Sequence, residues 1–451
     1  MKYFGTDGFR GEANQSLTAI HAYRIGRYLG NYYRKEGKRA RIVIGKDTRR
    51  SSYMLENALA AGITSSGSDC YLLHVTTTPS VSYIVQADDF DCGIMISASH
   101  NPFHDNGIKL IGASGTKMEE EILEKIEAYI DRPQDDLPLA QREEIGETKD
   151  YVFGRNRYIG YLISTVRRSF KGKRVALDCA NGASFTIAKN VFDALGADTV
   201  VIHDQPNGLN INVDCGSTHI DSLVETVKKE GLDCGFAFDG DADRCLAVDE
   251  KGQVVNGDAI IYISGTNLKA QNALPKNTVV TTVMSNFGLY KALERAGIDY
   301  IQTPVGDKYV AKEMLSNGYA VGGEQSGHII FSKYATTGDG VLTAIRLMEI
   351  IVEEKTSLSK LYSDFTAYPQ ILKNVRVADK NAVLENEKVK ETIEAVNQKL
   401  GTEGRTLVRP SGTEPLLRVM AEHPEEAVCE QAVDRIIATI EEEGLLVEEA
   451  K

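Results

Sequence analysis

Asp239, Asp241 and Asp243 stand at alternate positions in Phe238-Asp239-Gly240-Asp241-Ala242-Asp243-Arg244, between the apolar runs Cys234–Ala237 and Cys245–Val248. Three carboxylates on a turn between two strands can converge on a hard cation, and Mg²⁺ is the one that keeps positions open for substrate or phosphate oxygens. A second stretch, Ser97-Ala98-Ser99-His100-Asn101-Pro102, places a hydroxyl beside a histidine directly after an apolar run. That is where a nucleophile for covalent chemistry would stand, although Ser99 and Asn101 could equally bond only to nearby backbone in a strand-ending turn. The acidic loop has two competing readings. Asp239, Asp241, Asp243 and Glu250 nearly satisfy an EF-hand, but Arg244 occupies the position that needs glycine, and β-like runs replace the flanking helices. Alternatively, Asp239 itself accepts phosphate, as in an Asp-x-Asp phosphatase or mutase.

Two further loops carry recognition chemistry. In Gly322-Gly323-Glu324-Gln325-Ser326-Gly327-His328 the glycines permit close backbone approach, while Glu324, Ser326 and His328 supply an acceptor, a hydroxyl and a switchable donor suited to sugar hydroxyls. In Arg409-Pro410-Ser411-Gly412-Thr413-Glu414-Pro415, followed by Arg418, small and hydroxyl residues can turn several N–H groups to one point beside arginine, which makes a phosphate cradle. Either could be only a polar turn. Arg10 lies in the glycine-rich Phe4-Gly5-Thr6-Asp7-Gly8-Phe9-Arg10-Gly11, and Lys109 follows Ser99 by ten residues. Such a lysine can neutralise a transferring phosphoryl group or, if burial lowers its pKa, exchange protons.

These loops need rigid elements beneath them. Cys92–Ile96 reads as a short buried strand, and Asn101-Pro102 turns the chain out of it, so Ser99 is expected at the C-terminal lip of a sheet. Strand-like runs alternate with helical ones: Arg41–Gly45 then Met54–Ser66, Arg174–Asp178 then Ser184–Leu195, Thr278–Thr281 then Gly288–Ala296. That alternation predicts α/β layers with mixed or parallel sheets. Blocks are expected at 1–150, 151–255 and 256–366, with the polar stretch Asp131–Asp136 and the helix-like Tyr151–Arg168 at the first junction. The remainder, 367–451, has the texture of a small α+β domain, with helices over Glu385–Leu400 and Glu425–Glu443.

At 451 residues the chain is too long for one core. The net charge of -13 argues against a nucleic-acid surface and against attraction to anionic membranes. No run reaches the ~18 to 20 apolar residues of a membrane span, and Met1-Lys2-Tyr3-Phe4-Gly5 lacks the apolar region of a signal peptide. Seven scattered cysteines, an odd number, fit a reducing cytoplasm, with Cys234 and Cys245 read as small buried residues.

The four loops occur in the order serine, acidic, sugar-reading and phosphate-cradling, one per block, and together they resemble the α-D-phosphohexomutase family over essentially the whole chain. The resemblance implies an α/β fold of three mixed-sheet domains plus a small C-terminal α+β domain around a central active-site cleft. It also implies that Ser99 is phosphorylated in the working enzyme, with one Mg²⁺ on Ser99, Asp239, Asp241 and Asp243. His100 and Arg244 would orient that centre, and Lys109 would assist it. Glu324 and Ser326 would read the ring hydroxyls. Arg409, Ser411, Gly412, Thr413 and Arg418 would anchor the phosphate that does not react. Arg10, Lys109 and His328 are the candidates for proton transfer. Gly208-Leu209-Asn210-Ile211-Asn212 leading to Cys215-Gly216-Ser217-Thr218-His219, together with Gln325, resembles the subgroup acting on glucosamine phosphates more than those acting on glucose or mannose phosphates. Asn256 stands where that pattern expects aspartate. The expected substrate is a hexosamine phosphate, with glucosamine or glucose 1,6-bisphosphate as intermediate and activator. A homodimer is one state open to the chain, and nothing in the sequence fixes it.

Overall fold

The computed structural model describes residues 1–410 and 416–447. Two compact units form: Met1–Met284 with Ile298–Ser363, and Ser285–Gly297 with the chain from Asp364 onward. The first unit holds three sheets. Its seven-stranded sheet runs Phe4–Gly5, Gly8–Glu12, Asp105–Gly112, Cys92–Ile96, Arg41–Lys46, Asp69–Val75, Thr148–Asp150. Cys92–Ile96 is buried at every residue, as an apolar run covered on both faces must be, and pairs in parallel with Arg41–Lys46 and antiparallel with Asp105–Gly112. That antiparallel register sets Met95 opposite Lys109 and Ile96 opposite Ile108. Lys109 is thereby brought to the end of the strand that leads to Ser99.

A five-stranded sheet orders Val254–Val255, Cys245–Asp249, Cys234–Phe238, Arg174–Asp178, Asp198–Ile202. A four-stranded sheet orders Asp299–Thr303, Thr278–Thr282, Val321–Gly323, Ile329–Phe331. Both are mixed. Cys234–Phe238 and Cys245–Asp249 form an antiparallel pair, so the acidic turn joins two strands and the helix–loop–helix alternative is excluded. Asn256 caps the helix Gly257–Ala270, its side chain accepting from Ala259 N at 3.2 Å. Asparagine and aspartate are near-equals in that role, which accounts for the departure noted above.

The helix Gly340–Glu353 is buried along almost its whole length. Its cap, Asp339, accepts from Leu342 N at 2.9 Å and from the Tyr158 hydroxyl at 2.6 Å, which ties it to the helix Val152–Ser164. Burial raises the Asp339 carboxyl to about 6. Its protonated form is thus the one the fold favours. The associated stability is complete below the unfolded-chain value of about 4 and is lost as pH rises through about 6, amounting to about 3 kcal/mol. Asp339→Asn keeps the cap and removes the charge, so in thermal unfolding it should gain on the parent at pH 8 relative to pH 5. An equal difference at both pH values would contradict this.

In the second unit a three-stranded antiparallel sheet, Gln370–Arg376, Leu416–Glu422, Arg405–Pro410, packs with helices Glu387–Leu400 and Glu426–Glu442. The helix Phe287–Arg295 belongs to this unit. Buried Glu422 accepts from Phe287 N at 3.1 Å, Asn286 Nδ2 at 3.2 Å and Arg405 Nε at 2.7 Å.

Candidate active site

Ser99 stands just past Cys92–Ile96, in the left-handed region at φ 51°, where a non-glycine residue is strained unless its surroundings impose that conformation. Its N–H donates to Ser97 Oγ at 2.9 Å. Its Oγ donates to Asp239 Oδ2 at 2.5 Å, with His100 Nδ1 at 3.3 Å, and the residue is almost fully buried. This is a hydroxyl aimed across two sheets into a carboxylate cluster. Gly240 permits the approach, since a Cβ there would lie 2.5 Å from the Ser99 carbonyl oxygen.

Asp239, Asp241 and Asp243 each offer an oxygen within 4.8 Å of the others, and all three are buried. Burial first, then the charges of Asp243 and Asp241, push the Asp239 carboxyl well above its ordinary value. Lys109 Nζ donates to Asp241 Oδ2 at 2.7 Å and Asp243 Oδ2 at 3.2 Å and lies 3.4 Å from Asp7. Burial alone would lower this ammonium, but Asp241, Asp243 and Asp7 outweigh it and hold the pKa well above the usual lysine range. Of the two roles open to Lys109, these surroundings favour the charged one.

Asp241 Oδ1 and Asp243 Oδ1 are buried without a hydrogen-bond donor, and so are the Nε groups of Arg10 and Arg244 without an acceptor. Orphaned carboxylate oxygens fit a bound cation, and orphaned guanidinium N–H groups fit an anion such as phosphate. The donor set is all oxygen, which suits Mg²⁺.

Beside this centre lies a cavity of about 620 Å³ lined by Arg10, His100, Arg244, Glu324, Ser326 and His328, with Gln325 and Asp307 also on its wall. Burial, then Arg244 and Arg10, lowers the His100 pKa to about 4, so its ring is neutral near pH 7. His328 Nε2 accepts from Gly338 N at 3.0 Å, and Nδ1 lies 3.8 Å from Asp243. Burial lowers the His328 pKa, yet Asp243 and Asp307 carry it to about 9, and a second ring proton would displace the Gly338 bond. Glu324 accepts from Gly306 N at 3.1 Å.

Arg409 and Arg418 face each other across Arg405–Pro410 and Leu416–Glu422 in the second unit. Their Nε groups are buried without acceptors, and burial together with the neighbouring Arg418 lowers the Arg409 pKa. Such a pair suits an anion. Ser411, Gly412 and Thr413 lie outside the described residues.

Sequence reasoning passed over several residues. Asp7 pairs with Arg10, Lys109 and Lys117. Thr78 Oγ1 donates to Asp241, and Asp307 flanks His328 and Lys117. Asp7 lies in the glycine-rich stretch that also holds Arg10, and the sequence signal for Thr78 is its place just beyond the strand Asp69–Val75, where α/β sheets gather ligands. The loop 208–219, which carries the subgroup likeness, does not line the 620 Å³ cavity, whereas Gln325 does.

Full-length relatives decide the family. The chain is 60% identical over 448 residues to a phosphoglucosamine mutase of Lachnospira eligens, covering 99% of this chain and 100% of that protein. The chain belongs to the phosphoglucomutase/phosphomannomutase family. It is also 50% identical over 442 residues to the phosphoglucosamine mutase of Bacillus cereus, covering 98% and 99% of the two chains. The family's α/β/α domains I, II and III match residues 1–136, 156–252 and 256–368, and its C-terminal domain matches 372–439. The fold is shared with a Burkholderia thailandensis member of the family, at a TM-score of 0.80 and 22% identity over 98% of this chain and 97% of that one. It is also shared with the N-acetylphosphoglucosamine mutase of Aspergillus fumigatus solved with GlcNAc-6P and magnesium, at 0.68 and 17% over 98% and 96%.

Proposed function

We propose that this protein interconverts glucosamine 6-phosphate and glucosamine 1-phosphate through phospho-Ser99 and a glucosamine 1,6-bisphosphate, in a reducing cytoplasm that suits its seven buried free thiols. The observation that carries this reading is the Ser99 Oγ placed 2.5 Å from Asp239, within a cluster of buried carboxylates. Asp239, Asp241, Asp243 and the phosphorylated Ser99 would hold Mg²⁺. Bound there, the ion supplies charge neutralisation and alignment to the transferring phosphoryl group.

The protein's own groups do the rest. The bond from phosphorus to Ser99 Oγ breaks as the free sugar hydroxyl oxygen bonds to phosphorus, and the hydroxyl proton leaves to an acceptor on the cavity wall. Lys109, held as an ammonium, stabilises the charge that develops on the departing serine oxygen. Neutral His100 and the guanidinium of Arg244 orient the centre, and Arg10 meets phosphate oxygens with its unshared Nε–H. Glu324, Ser326 and His328 read the ring hydroxyls. Reorientation of the bisphosphate lets the second phosphoryl group return to Ser99. Within the second unit, the Arg409 and Arg418 pair suits a phosphate group.

The choice of amino sugar is supported by the high-identity relatives named phosphoglucosamine mutase. Rates on glucosamine, glucose and mannose 6-phosphates, measured with the matching bisphosphate present, test it. The expected result is a kcat/KM highest for glucosamine 6-phosphate. A preference for glucose or mannose would move the chain to another activity of the same family.

A further inference from the structure

Building on the reading of Ser99 as phosphoryl carrier, we propose that Asn212 is a positioning residue that locks the Ser99 turn from the neighbouring sheet. Asn212 Nδ2 donates to the carbonyl oxygens of both Ser99, at 2.9 Å, and Asn101, at 3.0 Å. Arg49 Nη2 donates to the same two oxygens, at 3.1 and 2.6 Å. The turn that bears the nucleophile is therefore gripped twice at the same two carbonyls. Arg49 follows the strand Arg41–Lys46 of the seven-stranded sheet, whereas Asn212 comes from the loop after Asp198–Ile202 of the five-stranded sheet.

Asn212 is itself placed in advance. Its N–H donates to Ala180 O at 3.0 Å, and its φ is 59°. Asn181, just past the strand Arg174–Asp178, holds the loop by accepting from Gln205 N at 3.1 Å. Asp178 holds the far side by accepting from Gly216 N at 2.9 Å. Ala180, Asn181, His203 and Asp214 are likewise left-handed, so an over-determined, strained loop ends in one amide directed at the nucleophile's backbone.

The consequence is chemical. A strained Ser99 backbone keeps its conformation only while its surroundings hold it, and a loose turn would let Oγ leave the line toward Asp239. Asn212 and the Asp239 turn both follow strands of the five-stranded sheet, and Gly240 of that turn lies against the same Ser99 carbonyl. The amide therefore fixes the serine in the frame of the carboxylates it must face. The same loop carries the subgroup likeness and lies off the 620 Å³ cavity, beside the nucleophile's turn.

Asn212→Gly separates the amide from the backbone, because glycine adopts φ near 59° without strain. Phosphorylation of Ser99 by glucose 1,6-bisphosphate is followed in a single turnover by intact-protein mass, alongside KM for glucosamine 6-phosphate, thermal unfolding and the ³¹P resonance of phospho-Ser99. The variant should transfer roughly 10²-fold more slowly, with KM within about twofold of the parent. Its unfolding midpoint should be unchanged and its ³¹P resonance broadened or displaced. Asn212→Asp, which sets a carboxylate against two carbonyl oxygens, should be slower still. A glycine variant that transfers at the parental rate, or that slows only as its folded fraction falls, overturns the proposal. A parent protein that takes no phosphoryl group on Ser99 defeats the carrier reading itself, and that is seen before any variant is compared.

Discussion

Ser99→Ala should abolish turnover of glucosamine 6-phosphate, by roughly 10⁴-fold or more, while leaving the fold intact. The hydroxyl is the only part of Ser99 that faces Asp239, and its removal leaves the backbone bonds to Ser97, Arg49 and Asn212 in place. Unfolding should be unchanged or slightly earlier, because Asp239 loses one hydrogen-bond donor while little cavity is left. A coupled assay with bisphosphate present reads the rate. Activity persisting within about tenfold of the parent would mean that Ser99 is structural and that another group carries the phosphoryl.

Lys109→Met should strike both activity and stability. Lys109 is a buried cation shared by Asp7, Asp241 and Asp243, and its loss leaves carboxylates facing one another with less neutralising charge. Breaking a buried ion pair from one side costs about 3–5 kcal/mol, and if Lys109 serves the departing oxygen as proposed, kcat should fall by roughly 10² to 10³. The stability loss should shrink when Mg²⁺ is added, since a divalent cation on the same oxygens replaces part of the missing charge. Thermal unfolding with and without the ion checks this. A variant as stable as its parent in metal-free buffer would show that the carboxylates do not depend on the lysine.

The chemical centre was legible to the extent that it is local. The turn Asp239–Asp243 and the stretch around Ser99 each carry their chemistry within a few residues, and the antiparallel pair around the acidic turn follows from its two apolar runs. The buried strand Cys92–Ile96 and the helices near Arg50–Ser65 and Glu426–Glu442 were likewise readable from periodicity. What escaped is what only the sheet order creates. Lys109 is kept charged because strand pairing delivers it to Asp241 and Asp243 from another sheet, a fact that spacing along the chain cannot contain. Asp7 and Asn212 reach the centre in the same way from loops, and Thr78 from the first turn of the helix Thr78–Ala87. The subgroup stretch at 208–219 shows the converse: a pattern legible along the chain whose place beside the nucleophile only the fold reveals.

The carrier reading is tested most directly by incubating the protein with glucose 1,6-bisphosphate labelled in its phosphoryl groups and mapping the modified residue. The account predicts an acid-stable phosphoserine at position 99, formed in the parent, absent from Ser99→Ala and discharged by glucosamine 6-phosphate. Label recovered as an acid-labile acyl phosphate on Asp239 would contradict it, making the carboxylate the carrier and Ser99 its hydrogen-bond donor.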